Sequence, residues 1–299
     1  MDHLTAESDN TLGLSMIPRD PTIFFNNWHD AQKLPAPAQI RTSAFDFHYE
    51  TLQQSSSQRI LYFPDLGLVI KHGKRTTMVE GQTLWAISRF CPAVRASTVY
   101  GWCTDNSEVF MYLSYIAGVT LDSRLETLSE DELTDVARQM ETMLGSIRGL
   151  RQPLEEIFIG TPDRGPIHDQ IWRHDKPKCA FSATREFNEA LFAFAEGRVP
   201  QFPEHELFQY VRASFSDTAS IRFSHTDLSP LNIIISPTST EVMGIIDWQE
   251  SGWYPDFWEY VKARYLAPVK WDKYIDIMLR PCKREFEALS IYISCGLIM

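Results

Sequence analysis

The segment HTDLSPLNIII, residues 225–235, constrains the fold of this chain more than any other stretch. Asp227 and Asn232 flank a Ser-Pro turn, and a run of isoleucines follows the asparagine directly. After the connection SPTSTE, a second apolar run ends at Asp247. Two short apolar runs joined by a polar turn predict a buried β-hairpin, with strands near 232–236 and 242–247.

Asp227, Asn232 and Asp247 place three oxygen-bearing side chains around this hairpin. A carboxylate at the end of an apolar strand is costly to bury unless a cation or a donor meets it. Mg²⁺ would supply that charge, because it prefers carboxylate and carbonyl oxygens together with substrate phosphates. The order HxDxxxxN, apolar strand, turn, IID is also that of the kinase template, in which one Asp orients a hydroxyl while an Asn and a second Asp hold metal.

A plainer interpretation is open for each part of this pattern. A single HxD occurs in many loops, and Asp followed by Ser-Pro is ordinary turn chemistry. The composite is more specific, because the loop, the strand, the turn and IID must coincide in that order. The composite therefore favours a catalytic loop over a structural turn.

The first part of the chain offers an independent test, since a kinase-type site also needs a strand lysine held by a helix glutamate. The segment LVIK supplies Lys71, and Glu80 stands near the start of the helix predicted next. A lone strand lysine often serves solubility at a sheet edge. Its position ahead of a Glu-bearing helix, and before the HxDxxxxN segment, favours the functional interpretation.

The remaining patterns predict an α+β protein with two lobes. Strands near 59–63 and 68–71 form a hairpin across FPDLG, and a second hairpin follows the Glu80 helix. From Ser129 the pattern becomes helical, with a capping box to Glu132 and further helices over 184–196, 204–215 and from 256 onward. The fold class is a protein-kinase-like fold, with a small β-rich N-lobe and a larger, mostly helical C-lobe.

The composition excludes several partner classes. A net charge of -11 and a pI of about 5.2 disfavour nucleic acid and anionic membranes. The longest apolar run is about half the ~20 residues that a bilayer span requires. The N-terminus lacks a signal peptide and the five cysteines are scattered, so a cytoplasmic location is expected. The oligomeric state is left open.

The chain resembles the aminoglycoside phosphotransferase family in two segments, HTDLSPLNIII and GIIDWQESGWYPDFWEY. Within that family it is most similar to the fungal small-molecule kinases. The similarity extends from about residue 59 to 263. The segments LVIKHG and VEGQTLWAI resemble the family's lysine strand and glutamate helix, and LSYIAGVTL its hinge. Three regions are expected: an N-terminal arm over 1–41, whose sequence is polar and punctuated by prolines, an N-lobe over 42–116 and a C-lobe over 117–299.

The resemblance also implies a role for each site residue. Asp227 would be the catalytic aspartate that accepts or orients the substrate hydroxyl, and His225 would hold its loop. Asn232 and Asp247 would bind Mg²⁺. The nucleotide would be bound by the residues of the first lobe: Lys71 at the phosphates, Glu80 as its partner, and Ser114 and Ile116 as hinge backbone groups.

The expected activity is ATP- and Mg²⁺-dependent transfer of the γ-phosphoryl group to a hydroxyl of a small molecule. An alternative is a kinase-like ligand-binding protein without turnover, because the turn FPDLG carries a single glycine, Gly67, and forms no glycine-rich phosphate loop. A protein kinase is disfavoured by the absence of DFG and APE segments. A hydrolase is disfavoured because Ser229 lies in no GxSxG elbow.

Overall fold

A six-stranded antiparallel sheet forms the first part of the computed structural model, which describes residues 10–25, 34–45, 48–172, 177–196 and 206–294. Its strands lie in the order β1-β5-β6-β4-β3-β2. Their bounds are Thr22–Phe24 (β1), Glu50–Gln54 (β2), Arg59–Phe63 (β3), Leu68–Gly73 (β4), Val99–Asp105 (β5) and Glu108–Ser114 (β6). The helices of this part are Pro37–Thr42 (α1) and Met78–Phe90 (α2).

The predicted hairpin β3–β4 forms because its apolar residues alternate. Leu61, Phe63, Leu68 and Ile70 are fully buried on one face of the sheet. The strand β2 was not predicted, since all five of its residues are exposed and it has no alternation to detect. Within the segment predicted as an N-terminal arm, β1 pairs with β5 and Ile40 of α1 is buried in the same apolar cluster as β3 and β4.

The second part of the chain is mostly helical, as predicted. Its helices are Leu121–Arg124 (α3), Glu130–Arg148 (α4), Thr184–Glu196 (α5), Glu206–Ser214 (α6), Trp258–Leu266 (α7), Val269–Met278 (α8) and Lys283–Ser294 (α9). Its short strands are Val119–Thr120 (β7), Ile221–Ser224 (β8), Ile233–Ile235 (β9), Val242–Ile245 (β10) and Gly252–Pro255 (β11). They form the small sheets β10-β9-β7 and β11-β8. The capping box of α4 is present, with Ser129 N–H donating to Glu132 Oε2 at 2.8 Å.

The hairpin β9–β10 is the element that positions the polar residues of the site. Ile233, Ile235, Val242 and Ile245 are fully buried, so the register of the hairpin is fixed by the core. The Ile246 N–H donates to the Asn232 carbonyl at 2.9 Å, which closes the end of the hairpin where Asn232 and Asp247 stand. The aromatic segment that follows the hairpin packs into the core. Trp258, for example, meets Phe187 edge-on, with the ring centroids 5.0 Å apart.

The α+β, two-lobed fold class is thereby confirmed. The division at residues 41/42 and 116/117 stays a prediction. Within the described ranges, the helices are all too short or too polar to cross a bilayer.

Candidate active site

A cavity of about 410 Å³ lies between the six-stranded sheet and the hairpin β9–β10. We call it the large cavity. Of the seven predicted site residues, six line it: Lys71, Glu80, Ser114, Ile116, Asn232 and Asp247. The seventh, Asp227, is outside the lining and is joined to it through Asn232. The fold therefore brings together residues that stand up to 176 positions apart in the chain.

Lys71, Glu80 and Asp247 form a buried cluster, the Lys71 cluster. Lys71 Nζ lies 2.7 Å from Glu80 Oε1 and 3.4 Å from Asp247 Oδ1. Burial by itself lowers the pKa of Lys71, but the two carboxylates outweigh it and hold the pKa above its ordinary value. The lysine is therefore a fixed positive charge, tied on one side to α2 and on the other to the end of β10.

His225 holds the loop that runs from it to Asn232, the 225–232 loop. Its Nδ1 accepts the Asp227 N–H at 3.2 Å, so the proton lies on Nε2, which donates to the Ile246 carbonyl at 3.0 Å. The ring is fully buried and meets Trp248 edge-on at 4.6 Å. The geometry agrees with the structural role expected for His225, because the ring fastens the loop to the backbone directly before Asp247.

Glu259, in the first turn of α7, is the second anchor of this loop. Its carboxylate accepts the N–H groups of His225 at 2.5 Å and Thr226 at 2.8 Å. Thr226 has a φ of 66°, a left-handed conformation that is strained for a β-branched residue. The buried carboxylate, together with a bond from Thr226 Oγ1 to the Glu250 carbonyl at 3.1 Å, stabilises that conformation.

Asn232 is oriented by Asp227. Its Nδ2 donates to the Asp227 carbonyl at 2.8 Å and to Asp227 Oδ2 at 2.9 Å. The amide nitrogen thus donates to Asp227 twice, and Oδ1 accepts no hydrogen bond from the described residues. Asp247, with a φ of 65° and a side chain 29% exposed, presents its carboxylate to the same cavity.

The two predicted hinge residues lie at the end of β6. The Ser114 N–H donates to the Thr98 carbonyl at 2.9 Å, while the Thr98 N–H goes to Ser114 Oγ at 2.8 Å instead of the Ser114 carbonyl. This pairing therefore leaves the Ser114 carbonyl unused. Ile116, two residues on, lines the cavity beside it.

The turn nearest to the lining of the large cavity is the one between β2 and β3, and not FPDLG. Leu52 and Gln53 of β2 line the cavity, and the β2–β3 turn passes through Ser55 and Gln58, whose N–H donates to Ser55 Oγ at 3.0 Å. The Gly67 carbonyl instead accepts the Tyr115 N–H at 2.8 Å, at the hinge end of the sheet. FPDLG, the turn that the sequence analysis considered as the phosphate loop, therefore contributes no residue to the lining of the large cavity.

A second lysine cluster lies on the other side of the 225–232 loop, and we call it the Lys262 cluster. Lys262 Nζ lies 2.8 Å from Asp169 Oδ1 and 3.9 Å from Glu250 Oε2, and all three side chains are at most 7% exposed. Trp258 Nε1 donates to Asp169 Oδ2 at 2.8 Å. Burial, with the charges of Asp169 and Asp227, raises the pKa of Glu250 to about 7 although Lys262 opposes this. The sequence reasoning missed this cluster; its one signal was the spacing of Trp258 and Lys262, four residues apart on α7.

Solved structures share this fold at low sequence identity. The complex of APH(2")-IIia with GDP and kanamycin is 14% identical, with a TM-score of 0.59 over 86% of this chain and 88% of that one. The ADP-bound aminoglycoside phosphotransferase APH(2'')-Ib is 15% identical, with a TM-score of 0.56 over 87% and 88%. The macrolide 2'-phosphotransferase MphH from Brachybacterium faecium is 13% identical, with a TM-score of 0.52 over 87% and 88%.

At these identities the likeness shows the fold. No curated protein matches the sequence of this chain. A profile of the phosphotransferase enzyme family matches residues 83–277, about two thirds of the chain, beginning just after Lys71 and Glu80. The resemblance inferred from the motifs is thereby confirmed, and the chain belongs to the phosphotransferase enzyme family.

Proposed function

We propose that this protein transfers the γ-phosphoryl group of ATP to a hydroxyl of a small molecule, with Mg²⁺ as its cofactor. Membership of the phosphotransferase family supports the reaction class. The observation that carries the proposal is the convergence of Lys71, Asn232 and Asp247 on one cavity, with Asp227 bonded to its edge. A cytoplasmic location stays a prediction of the sequence.

Asn232 and Asp247 would hold the metal. Within the described ranges, no three carboxylate, histidine or cysteine side chains lie close enough to form a protein-only metal site. One amide oxygen and one carboxylate instead suit Mg²⁺, which keeps waters and takes phosphate oxygens as further ligands. The orientation of the Asn232 amide, with Oδ1 unused, fits this role. When bound, Mg²⁺ neutralises charge on the phosphates.

The other residues would bind the nucleotide and move the proton. Lys71, fixed as a cation, would contact the phosphates, and the Ser114 carbonyl and Ile116 N–H would meet the donor and acceptor edge of the purine. Asp227 would orient the acceptor hydroxyl and take its proton as the oxygen bonds to the γ-phosphorus and the bond to the β-phosphate oxygen breaks. Catalysis would come mostly from positioning and charge stabilisation.

A ligand-binding protein without turnover is the second candidate. The observation in its favour is that the β2–β3 turn, QSSSQ, which follows the cavity-lining Gln53, contains no glycine. Serine backbone and hydroxyl groups can still donate to phosphates, so the turn is compatible with both candidates.

Nucleotide binding and turnover together test the proposal. ATP with Mg²⁺ should raise the melting temperature, since a ligand at 100 times its Kd stabilises the folded state by about 2.7 kcal/mol, and Asp247→Ala should lose the shift. With an accepted hydroxylated substrate, Asp227→Asn should lower ATP consumption by about 10²–10⁴-fold and keep the melting shift. Asp131→Asn, an exposed change of the same type on α4, is the matched control.

The outcomes separate the candidates. A melting shift without turnover on any hydroxylated compound would support the binding protein. Full activity of Asp227→Asn would show that the role given to Asp227 is wrong.

A further inference from the structure

A second cavity, of about 180 Å³, opens on the other side of the segment that carries Asp247. We call it the small cavity. One wall is formed by Lys74, Arg75 and Thr77, from the connection between β4 and α2, and the facing wall includes Asp169 and Glu250. It shares no lining residue with the large cavity. The two cavities are therefore separate binding volumes.

The small cavity lies beside the 225–232 loop. Thr226 Oγ1 donates to the Glu250 carbonyl at 3.1 Å, so the wall of the cavity and the loop are in direct contact. The charge of Asp227 also acts on Glu250, contributing to its raised pKa. Asp227 does not line the small cavity itself, but it directly follows Thr226, which is bonded to the cavity wall.

The wall from the N-lobe presents donors that lack partners. The side chains of Lys74 and Arg75 are exposed, and in the described part of the chain neither forms an ion pair with a carboxylate. Thr77 stands at the N-cap of α2, but its side chain makes no capping bond. Its Oγ1 is buried and has no hydrogen-bond partner among the described residues. A buried hydroxyl without a partner is costly, and a ligand oxygen would relieve that cost.

The charges around the small cavity favour an anion. Lys74 and Arg75 are the two cationic side chains of its lining, and Asp169 and Glu250 are the two carboxylates. Lys262 and Trp258 already compensate Asp169. The N-terminus of α2 adds a partial positive charge at the same wall. The carboxylates of the lining are thus paired with a lysine from outside it, whereas Lys74 and Arg75 pair with no carboxylate in the described part of the chain.

We propose that the small cavity binds the phosphoryl acceptor, and that the acceptor carries an anionic group held by Lys74, Arg75 and Thr77. Its hydroxyl would then point toward Asp227. The anionic group is a carboxylate or a phosphate, since both accept several hydrogen bonds from cationic donors. The inference rests on the proposed function for the identity of the ligand as acceptor, whereas the anion site itself stands on the cavity.

The test uses four probes with one three-carbon skeleton: glycerol, glycerate, glycerol 3-phosphate and 3-amino-1,2-propanediol. They share hydroxyl groups and differ in the charge of the terminal group. Calorimetric titration into the full chain, saturated with ADP and Mg²⁺, should show the two anions binding at least about tenfold tighter than the neutral and cationic probes. The stronger of the two anions identifies the acidic group. Added salt should weaken the binding of both.

Variants connect that binding to the small cavity. The double variant Lys74→Ala/Arg75→Ala should weaken the binding of both anions about tenfold or more. The control variant Arg89→Ala/Arg138→Ala removes two exposed cations, one at the far end of α2 and one on α4. It should leave the affinity for both anions unchanged. The proposal is overturned if neither anion binds at millimolar concentration, if the amine binds as tightly, or if the two double variants behave alike.

The titrations also distinguish a failure of the anion site from a failure of the proposed function. If ADP with Mg²⁺ does not bind, the nucleotide assignment fails, and the same titration on the nucleotide-free protein still decides whether Lys74 and Arg75 bind anions.

Discussion

The Lys71 cluster and the Lys262 cluster are built alike and differ in what surrounds them. In each, a buried lysine lies 2.7–2.8 Å from one carboxylate and 3.4–3.9 Å from a second. The second carboxylate comes from the same short segment in both cases, as Asp247 in one and Glu250 in the other. The segment is therefore held by a lysine on each side.

The difference lies in exposure. Asp247 is 29% exposed and faces the large cavity, whereas Glu250 is 4% exposed. Desolvated ion pairs contribute little net stability, but losing one partner is expensive because the other charge stays buried. Under the proposed function, the exposed carboxylate of the Lys71 cluster serves a ligand, whereas the Lys262 cluster, with side chains at most 7% exposed, mainly fixes the backbone.

The largest expected effect is on turnover, when Lys71 is removed. Lys71→Met should lower kcat/KM by about 10²–10³-fold, because a positioned cation would no longer meet the phosphates. The double variant Lys71→Met/Glu80→Gln removes the unpaired buried carboxylate as well. It should recover stability in urea denaturation without recovering turnover. Recovery of both would mean that Lys71 has a structural role alone.

Removing Lys262 should act on stability instead. Lys262→Met leaves Asp169 and Glu250 enclosed without their cation, and the free energy of unfolding should fall by about 3–5 kcal/mol. Lys262→Met/Asp169→Asn should restore much of that loss, since the amide can still accept the Trp258 N–H. Urea denaturation of both variants measures this. A loss below about 1 kcal/mol in the single variant would contradict the enclosed-pair account.

The pH dependence of stability distinguishes Glu250 from an exposed carboxylate. Its pKa is about 7 in the folded chain and 4.5 ordinarily, so the folded state binds the proton more tightly. That contribution is complete below about pH 4.5 and is lost as the pH rises through 7. Glu250→Gln should therefore raise the free energy of unfolding at about pH 8 by on the order of 2 kcal/mol, with little change at about pH 4.

Glu141→Gln, an exposed change of the same type on α4, is the control for this experiment. Denaturation curves at the two pH values compare the variants. An equal gain from both substitutions would show that net charge, and not the burial of Glu250, sets the effect.

The smallest effect concerns Thr226, which links the Lys262 cluster to the 225–232 loop through the Glu250 carbonyl. Thr226→Ala and Thr226→Gly both remove that hydrogen bond, but only glycine adopts a φ of 66° without strain. Thr226→Gly should therefore be more stable than Thr226→Ala by about 1 kcal/mol. A melting comparison of the two checks it, and a more stable alanine variant would mean that the strain is negligible.

How far the sequence could predict this protein depends on the distance between interacting residues. The Asp227–Asn232 contact spans five positions and the Lys71–Glu80 contact spans nine, so turn, strand and helix patterns were enough to bring each pair together. The strand β2 was not predicted, because an exposed strand has no apolar alternation. The sequence analysis therefore considered the β3–β4 turn, although residues of β2 and β3 next to the preceding turn line the large cavity.

By itself, the sequence determined the family, the two-lobed fold and the cluster of polar groups around β9–β10, because these follow from local periodicity and from a motif with fixed spacing. The tertiary structure alone decided the contacts of Glu259 with the 225–232 loop, 33 and 34 positions away, and of Lys262 with Asp169, 93 positions away. These contacts depend on how α7 packs beneath the loop, and helical periodicity specifies a buried face without specifying which distant carboxylate or backbone group that face will meet.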